Sequence, residues 1–281
     1  MSEEKVLIFD KVDKIIGKHE ILNDVSFDLK KGEVVGIIGS NGSGKTTILR
    51  LASGLSYPSK GTITVNGKVI KPGMVGDLPS GVGILIESPT FMQHLTGFDN
   101  LHYLAKIQDK IHKEDIHTAL RKVGLNPNDK KKVREYSLGM RQRLGIAQAI
   151  MENPSLILFD EPTNGLDEEG KKLFGEIINE YKKRGTGFLF VSHSREEIQK
   201  FCDRVFKIED RTLMLHKNLR NWFIVLQNLE DVEKVLQLKP HSLISERHNG
   251  NPVIILPNEG KEEVDTFFQN LGIQYQLLKV E

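Results

Sequence analysis

The sequence predicts an α/β fold in which parallel strands are joined by helical crossovers. An antiparallel part precedes them, a helical insertion interrupts them, and a small α+β unit follows. Three observations lead there. The near-continuous apolar run "EVVGIIG" passes into the glycine-rich loop "GSNGSGKT", Gly39 to Thr46, and then into helical spacing. From Ser155 onward, short apolar runs alternate with amphipathic helical stretches, the order produced by parallel strands with crossovers. Beyond about Lys217 the pattern reads β-α-β-β-α-β, the split βαβ arrangement.

A chain of 281 residues has room for a domain of about 200 residues and a small second unit. With 38% hydrophobic and 27% charged residues the composition is that of a folded globular chain, which excludes intrinsic disorder. Lys+Arg 39 against Asp+Glu 38 leaves a net charge of +1, so overall charge gives no reason to expect nucleic acid or acidic lipid as a partner. The single cysteine, Cys202, cannot form an internal disulfide, and "MSEEKVLIFD" has neither a basic nor an apolar leader region. No run approaches the roughly 18 apolar residues that a membrane span needs. These features predict a cytoplasmic chain that does not itself cross a membrane.

In order along the chain, "KVLIFDKV" and "ILNDVSFDL" alternate apolar and polar residues as antiparallel strands do. "KTTILRLASGL" has helical spacing and ends near Gly54, and "GTITVNGK" returns to a strand with an Asn66-Gly67 turn. Thr96 and Asp99, three apart, resemble a capping box that opens a mostly helical subdomain, about residues 88–152. Then follow strand "SLILFDE", helix Leu166 to Lys183, strand "GFLFVSH", helix Arg195 to Phe201 and strand "RVFKIED". The predicted division is a domain over 1–217 and a small α+β (βαββαβ) domain over 218–281, in which Trp222 and Phe223 read as packing residues.

The loop Gly39-Ser40-Asn41-Gly42-Ser43-Gly44-Lys45-Thr46 satisfies G-x-x-x-x-G-K-[ST] between a strand and a helix, the context its chemistry needs. The glycines let successive N–H groups point at phosphates, Lys45 neutralises the outer phosphates, and the Thr46 hydroxyl can coordinate Mg²⁺. The core is therefore a P-loop NTPase. "LILFDEP" ends in two carboxylates where a parallel sheet delivers residues to a site. Asp160 reads as a partner of Mg²⁺, direct or one layer removed, and Glu161 as the general base that orients water. Without the phosphate loop both would read as caps and a solvated strand end. His193, closing "VSH" at the same sheet edge, can reach a γ-phosphate. His94, His102, His112 and His117 share no metal-like spacing and carry no assignment. A second turn, "YSLGMRQ" from Tyr136, also has the hydroxyl, glycine and open helix start that suit an anion.

Over about residues 5 to 215 these motifs together resemble the nucleotide-binding subunits of ATP-binding cassette transporters: "GSNGSGKTT", "YSLGMRQR", "LILFDEP", "TNGLD" with Asp167, and "VSH", in that order. "GILIESPTFMQHLTGFDNL" and "SLGMRQRLGIA" look like the ATPases of bacitracin and lantibiotic resistance or immunity exporters. The resemblance implies ATP and Mg²⁺ as cofactors, with Thr47 joining the phosphate loop. It implies a peripheral position on the cytoplasmic membrane face, with integral membrane permease subunits and a second nucleotide-binding subunit as partners. Three departures from the family, at four positions, stand out. Glu87 replaces a glutamine yet can reach Mg²⁺ or its water. Leu138 and Met140 replace a glycine and a glutamine of the signature turn, while Ser137 and Gly139 persist. Ile16 stands where an aromatic ring stacks on adenine, which predicts weaker base selectivity.

The family pattern also implies that Ser137, Leu138, Gly139, Met140 and Gln142, with Asp167, face a nucleotide held by the partner cassette. The stretch Glu87 to Asn100 is the expected contact for a short helix of the membrane subunit, with Phe91 and Phe98 as exposed candidates or, equally, as core residues. Cassettes acting on chromosomes carry a long coiled coil between these motifs and those acting on ribosomes carry two cassettes; this chain has neither. A kinase reading fits less well, since Glu161 beside Asp160, Asp167 and His193 favours water as acceptor. The cargo is not legible in this chain.

Overall fold

β1 (Lys5–Ile16) and β2 (His19–Lys30) pair antiparallel, with Phe9 opposite Phe27 and their rings stacked at 4.7 Å. β3 (Val34–Ile38) is buried almost throughout and leads through the glycine loop into α1 (Lys45–Ala52). β4 (Lys60–Val65) and β5 (Lys68–Val69) form a hairpin whose turn, Asn66 at φ +48 and Gly67 at φ +77, uses the left-handed pair that an Asn-Gly sequence favours. The first sheet has the order β2-β1-β4-β5. The computed structural model describes residues 4–70, 79–87, 89–108, 110–218, 222–239, 242–248, 250–256 and 261–278.

β6 (Val82–Leu85) precedes a helical insertion of α2 (Gly97–Gln108), α3 (Lys113–Lys122), a 3-10 turn at Val133–Glu135 and α4 (Leu138–Ile150). Thr96 caps α2: its hydroxyl accepts from the Asp99 N–H at 3.0 Å and donates to the Asp99 carboxylate at 2.7 Å. Phe91 belongs to the core at 7% exposed, and Phe98 is half-buried, packing its ring against His102 and His117. Of the two readings, core holds for Phe91, whereas Phe98 keeps part of its ring exposed while packing on the two histidines. The large apolar side chains that α2 leaves in solvent are Tyr103 and Ile107, one turn apart.

The chain then alternates β7 (Leu156–Asp160), α5 (Glu168–Lys183), β8 (Gly187–Val191), α6 (Arg195–Phe201), β9 (Arg204–Glu209) and β10 (Thr212–Asn218). α5 begins two residues later than its spacing predicts, because Asp167 leaves the helix to cap it and accepts from the Gly170 N–H at 2.9 Å. β10 has no counterpart in the sequence reading. Its hairpin turns on Asp210 and Arg211, both left-handed, and lacks the Asn-Gly or Asp-Gly signal of such turns.

The second sheet runs β10-β9-β3-β8-β7-β6, with β3, β8, β7 and β6 parallel. Two apolar contacts fix it in place. Phe159 and Phe190 pack with Phe174 and Phe201, pinning α5 and α6 to one face. On the other face a continuous core joins Leu7, Phe9 and Val25 of the first sheet to Ile48 and Leu49 of α1 and to Val35, Leu158 and Leu189 of the second. Truncating one such ring, as in Phe174→Ala, costs about 3–5 kcal/mol. The consequence for function is positional: α1 is clamped between the sheets, so its first turn cannot drift from the carboxyl ends of β3 and β7.

The chain folds as two compact units, Met1–Cys202 with Phe206–Met214, and Asp203–Val205 with Leu215–Glu281. The second contains β11 (Trp222–Leu226), α7 (Leu229–Leu238), β12 (Leu243–His248), β13 (Asn251–Leu256), α8 (Lys261–Leu271) and β14 (Tyr275–Leu278). Its sheet is antiparallel in the order β12-β13-β11-β14, so each helix connects two strands that flank a third. Its own core comprises Ile224, Leu226, Val232, Val235, Ile254, Val264 and Phe268. Phe223 is half-buried, and the Trp222 side chain lies outside the described residues.

Candidate nucleotide-binding and hydrolysis site

The buried strand β3 ends at Ile38 and the loop must reverse at once into α1, which is why glycine is needed at its start. A Cβ at Gly39 would lie 2.6 Å from Ser43 Oγ. Lys45, only 7% exposed, opens α1 and donates from Nζ to the loop's own carbonyls, Gly39 O at 2.9 Å and Ser40 O at 2.8 Å. The loop and its lysine therefore form one closed ring of contacts around the open first turn of the helix. Burial pushes the Lys45 ammonium below its usual pKa, opposed by the charges of Glu161 and Asp160. Ser40, Asn41 and Gly42 are exposed, while Ser43, Thr46 and Thr47 are half-buried.

β7 is apolar on both faces because helices and sheet cover it, and it delivers Asp160 and Glu161 to the same edge. Thr46 Oγ1 donates to Asp160 Oδ2 at 2.9 Å, joining positions 114 apart in sequence. Burial raises the Asp160 pKa, and the Thr46 hydrogen bond and Lys45 oppose that rise. Glu161 sits at φ +49, a left-handed conformation that costs a side chain with a Cβ roughly 1–2 kcal/mol. His193 Nε2, two residues past the end of β8, stands 3.4 Å from Glu161 Oε1, yet that oxygen is buried without a hydrogen-bond partner. Burial raises the Glu161 pKa; His193 opposes the rise, and Asp160 and Glu197 add to it.

Thr46, Lys45, Asp160, Glu161 and His193 are thus brought together. The buried Ser43 Oγ also lacks a partner, so the loop and the acidic strand end each carry one orphaned polar atom. A phosphate accepting from the loop's donors and a water donating to Glu161 would satisfy both. For Mg²⁺ the fit is an oxygen pair, the Thr46 hydroxyl and the Asp160 carboxylate, the hard ligands that this ion takes alongside phosphate oxygens.

Glu87 follows β6 at φ +62, and its charge is felt at Asp160, but its carboxylate is engaged by Arg50 Nη2 at 2.5 Å. Arg50 went unnoticed in the sequence, although four residues after Thr46 it lies on that residue's side of α1. Ile16 ends β1 and is 54% exposed.

The second turn is built differently. Ser137 caps α4, its hydroxyl accepting from the Met140 N–H at 3.2 Å. Gly139 is required on steric grounds, since a Cβ there would lie 2.7 Å from the Gly165 carbonyl oxygen. Ser137, Leu138, Gly139 and Met140 line a cavity of about 620 Å³ with Arg143 and Asp167. Asp167 is committed to the α5 cap and to Arg143 Nη2 at 2.5 Å, which hold its carboxyl below the usual range. Gln142, grouped with this turn by the family pattern, is instead buried; its amide donates to Glu161 O at 3.2 Å and Pro162 O at 2.9 Å. Its position, on the inner face of α4, braces the acidic strand end of its own chain. Also missed were Thr163, Ser192 and Glu197, which meet behind Glu161.

A phosphate loop with paired acids and a histidine at one sheet edge defines a nucleotide-hydrolysing cassette. The profile described as ABC transporter matches residues 22–164. The chain is 36% identical over 220 residues to the bacitracin transport ATP-binding protein BcrA of Enterococcus faecalis, covering 78% of this chain and 71% of that protein. It is 35% identical over 212 residues to the lantibiotic transport ATP-binding protein SrtF of Streptococcus pyogenes, covering 75% and 90%. In fold it is similar to a dimeric, post-hydrolysis structure of the ATP-binding cassette MJ0796 bound to ADP and Pi, with TM-score 0.66 at 22% identity, over 75% of this chain and 97% of that one. The chain belongs to the ABC transporter family as an ATP-binding subunit, and it is an ATPase. Among the described residues no helix is long and apolar enough to cross a membrane.

Proposed function

We propose that this ATPase powers an exporter whose membrane-spanning permeases are separate chains, and that the cargo is an antimicrobial or other amphipathic peptide. The names of the bacitracin and lantibiotic relatives support the cargo class. The observation that carries the chemistry is the unpartnered, buried Glu161 Oε1 beside His193 and behind the phosphate loop. Lys45 and the loop N–H groups bind the phosphates. Glu161 accepts the proton of the attacking water, and His193 holds the outer phosphate toward it. Thr46 and Asp160 would hold Mg²⁺, which would supply charge neutralisation to the phosphates. Glu87 joins it if Arg50 releases the carboxylate.

On this reading two cassettes close over two ATP molecules, each lying between Gly39 to Thr47 of one and Ser137 to Met140 of the other. The exposed Ser137 turn and the dimeric MJ0796 structure support that arrangement. Closure moves the permease at the cytoplasmic membrane face, and hydrolysis reopens the pair. The test is to purify the Glu161→Gln chain with its neighbours and measure turnover. Loss of turnover, retention of ATP and co-purification of a multi-span membrane protein are expected. Wild-type turnover would overturn the base assignment, and a partner without transmembrane helices would overturn the transporter reading.

A further inference from the structure

Behind the site, one carboxylate ties together the two segments that carry Glu161 and His193. Glu197, half-buried in α6, accepts from Thr163 Oγ1 on its Oε1 and from Ser192 Oγ at 2.7 Å on its Oε2. Both hydroxyl-bearing residues are buried, Thr163 at 5% and Ser192 at 2% exposed. Thr163 lies two residues after Glu161, and Ser192 lies one before His193. The Ser192 hydroxyl also accepts from the Ser194 N–H at 3.0 Å, and the Ser194 hydroxyl accepts from the Glu197 N–H at 3.3 Å. His193 is therefore flanked on both sides by residues fastened to Glu197.

We propose that Glu197 is a positioning residue for hydrolysis, clamping the turn after Glu161 to the segment of His193 so that the two side chains hold their approach. The clamp rests on the reading of Glu161 and His193 as the hydrolytic pair. Three physical points support it. Glu161 holds a strained left-handed backbone, which persists only if its surroundings over-determine it. β7 and β8 are already bonded through Glu161 N–H to Val191 O at 2.9 Å, which sets the strand ends but leaves the residues beyond them free to pivot. A carboxylate accepting two buried hydroxyls makes charge-assisted bonds, stronger than neutral ones, at the two pivots. Its negative charge also adds to the upward displacement of the Glu161 pKa.

The test uses the full chain, measuring turnover, the KM for ATP and thermal stability for Glu197→Ala, Thr163→Val, Ser192→Ala and Glu197→Gln, beside Glu161→Gln. Loss of the clamp is expected to lower kcat about 10- to 100-fold while the KM for ATP stays within about twofold, because the phosphate loop is untouched. Thr163→Val combined with Glu197→Ala is expected to lose no more than Glu197→Ala alone, since both remove one device. Glu197→Gln is expected to recover most of the turnover: its carbonyl can accept from Thr163, and its amide can donate to the remaining lone pair of Ser192. A kcat for Glu197→Ala and Thr163→Val within about twofold of wild type, with Glu161→Gln inactive, would overturn the clamp alone. If Glu161→Gln turned over normally, the hydrolytic pair itself would fall. Should Glu197→Ala not fold, Thr163→Val and Ser192→Ala decide the matter, and lowered stability with unchanged kcat in those two refutes positioning.

Discussion

The first turns of α1 and α4 are both helix starts beside glycines, and they differ in what stands opposite them. At α1 the Thr46 hydroxyl crosses to Asp160, a buried lysine lies beneath the loop, and Glu161 and His193 close the far side. At α4 the Ser137 hydroxyl accepts from its own cap and keeps only its proton to donate, and the Arg143–Asp167 pair is satisfied within itself. The first turn gathers a hydroxyl, a buried lysine and carboxylates at one edge. The second offers only N–H groups and a hydroxyl on an exposed surface, which is half of an anion site. Under the proposed function that difference removes the redundancy of two phosphate-ready turns: the complete one would bind, and the incomplete one would recognise what another chain has bound.

Three changes break or sharpen this contrast, taken from the largest effect down. Lys45→Ala removes the buried cation of the complete turn and is expected to abolish ATP binding, read by equilibrium titration; retained affinity would show that the turn does not depend on it. His193→Ala leaves binding intact and lowers turnover roughly 100-fold. The same variant shifts the pH profile. Burial raises the Glu161 pKa, and the base works only when unprotonated, so turnover falls as pH drops through that raised value. His193, Asp160, Lys45 and Glu197 face Glu161, and of these His193 holds its pKa down most; removing it moves the acid limb to higher pH. An unmoved limb would detach the histidine from the base. Ile16→Tyr is the smallest change. Adding a ring at this exposed strand end is expected to tighten ATP binding by about 1 kcal/mol and to sharpen its preference over GTP, in a competition assay.

Features set by contiguous residues were legible in the chain. The phosphate loop, the acidic strand end and the histidine each sit beside an apolar strand, and a parallel sheet sends all such ends to one edge. The tail's six elements likewise follow from local periodicity. What escaped was set by contacts across long separations. The bond from Gln142 to Glu161 and Pro162 spans about 20 residues, and that from Thr163 to Glu197 spans 34, distances over which periodicity carries no signal. β10 escaped for a nearer reason, a two-residue turn made by Asp210 and Arg211 in place of residues that favour it. Phe91 shows the limit from the other side, since an isolated aromatic between Thr90 and Met92 gives no sign of whether it faces solvent or core.

The complementarity of the two turns is tested most directly by dimer formation in the Glu161→Gln background, measured by size-exclusion chromatography or light scattering with and without ATP. Glu161→Gln alone is expected to form an ATP-dependent dimer. Adding Ser137→Arg is expected to prevent that closure while each chain still binds ATP, because the substitution lies outside the phosphate loop. An ATP-dependent dimer that forms equally well with Ser137→Arg would contradict the account.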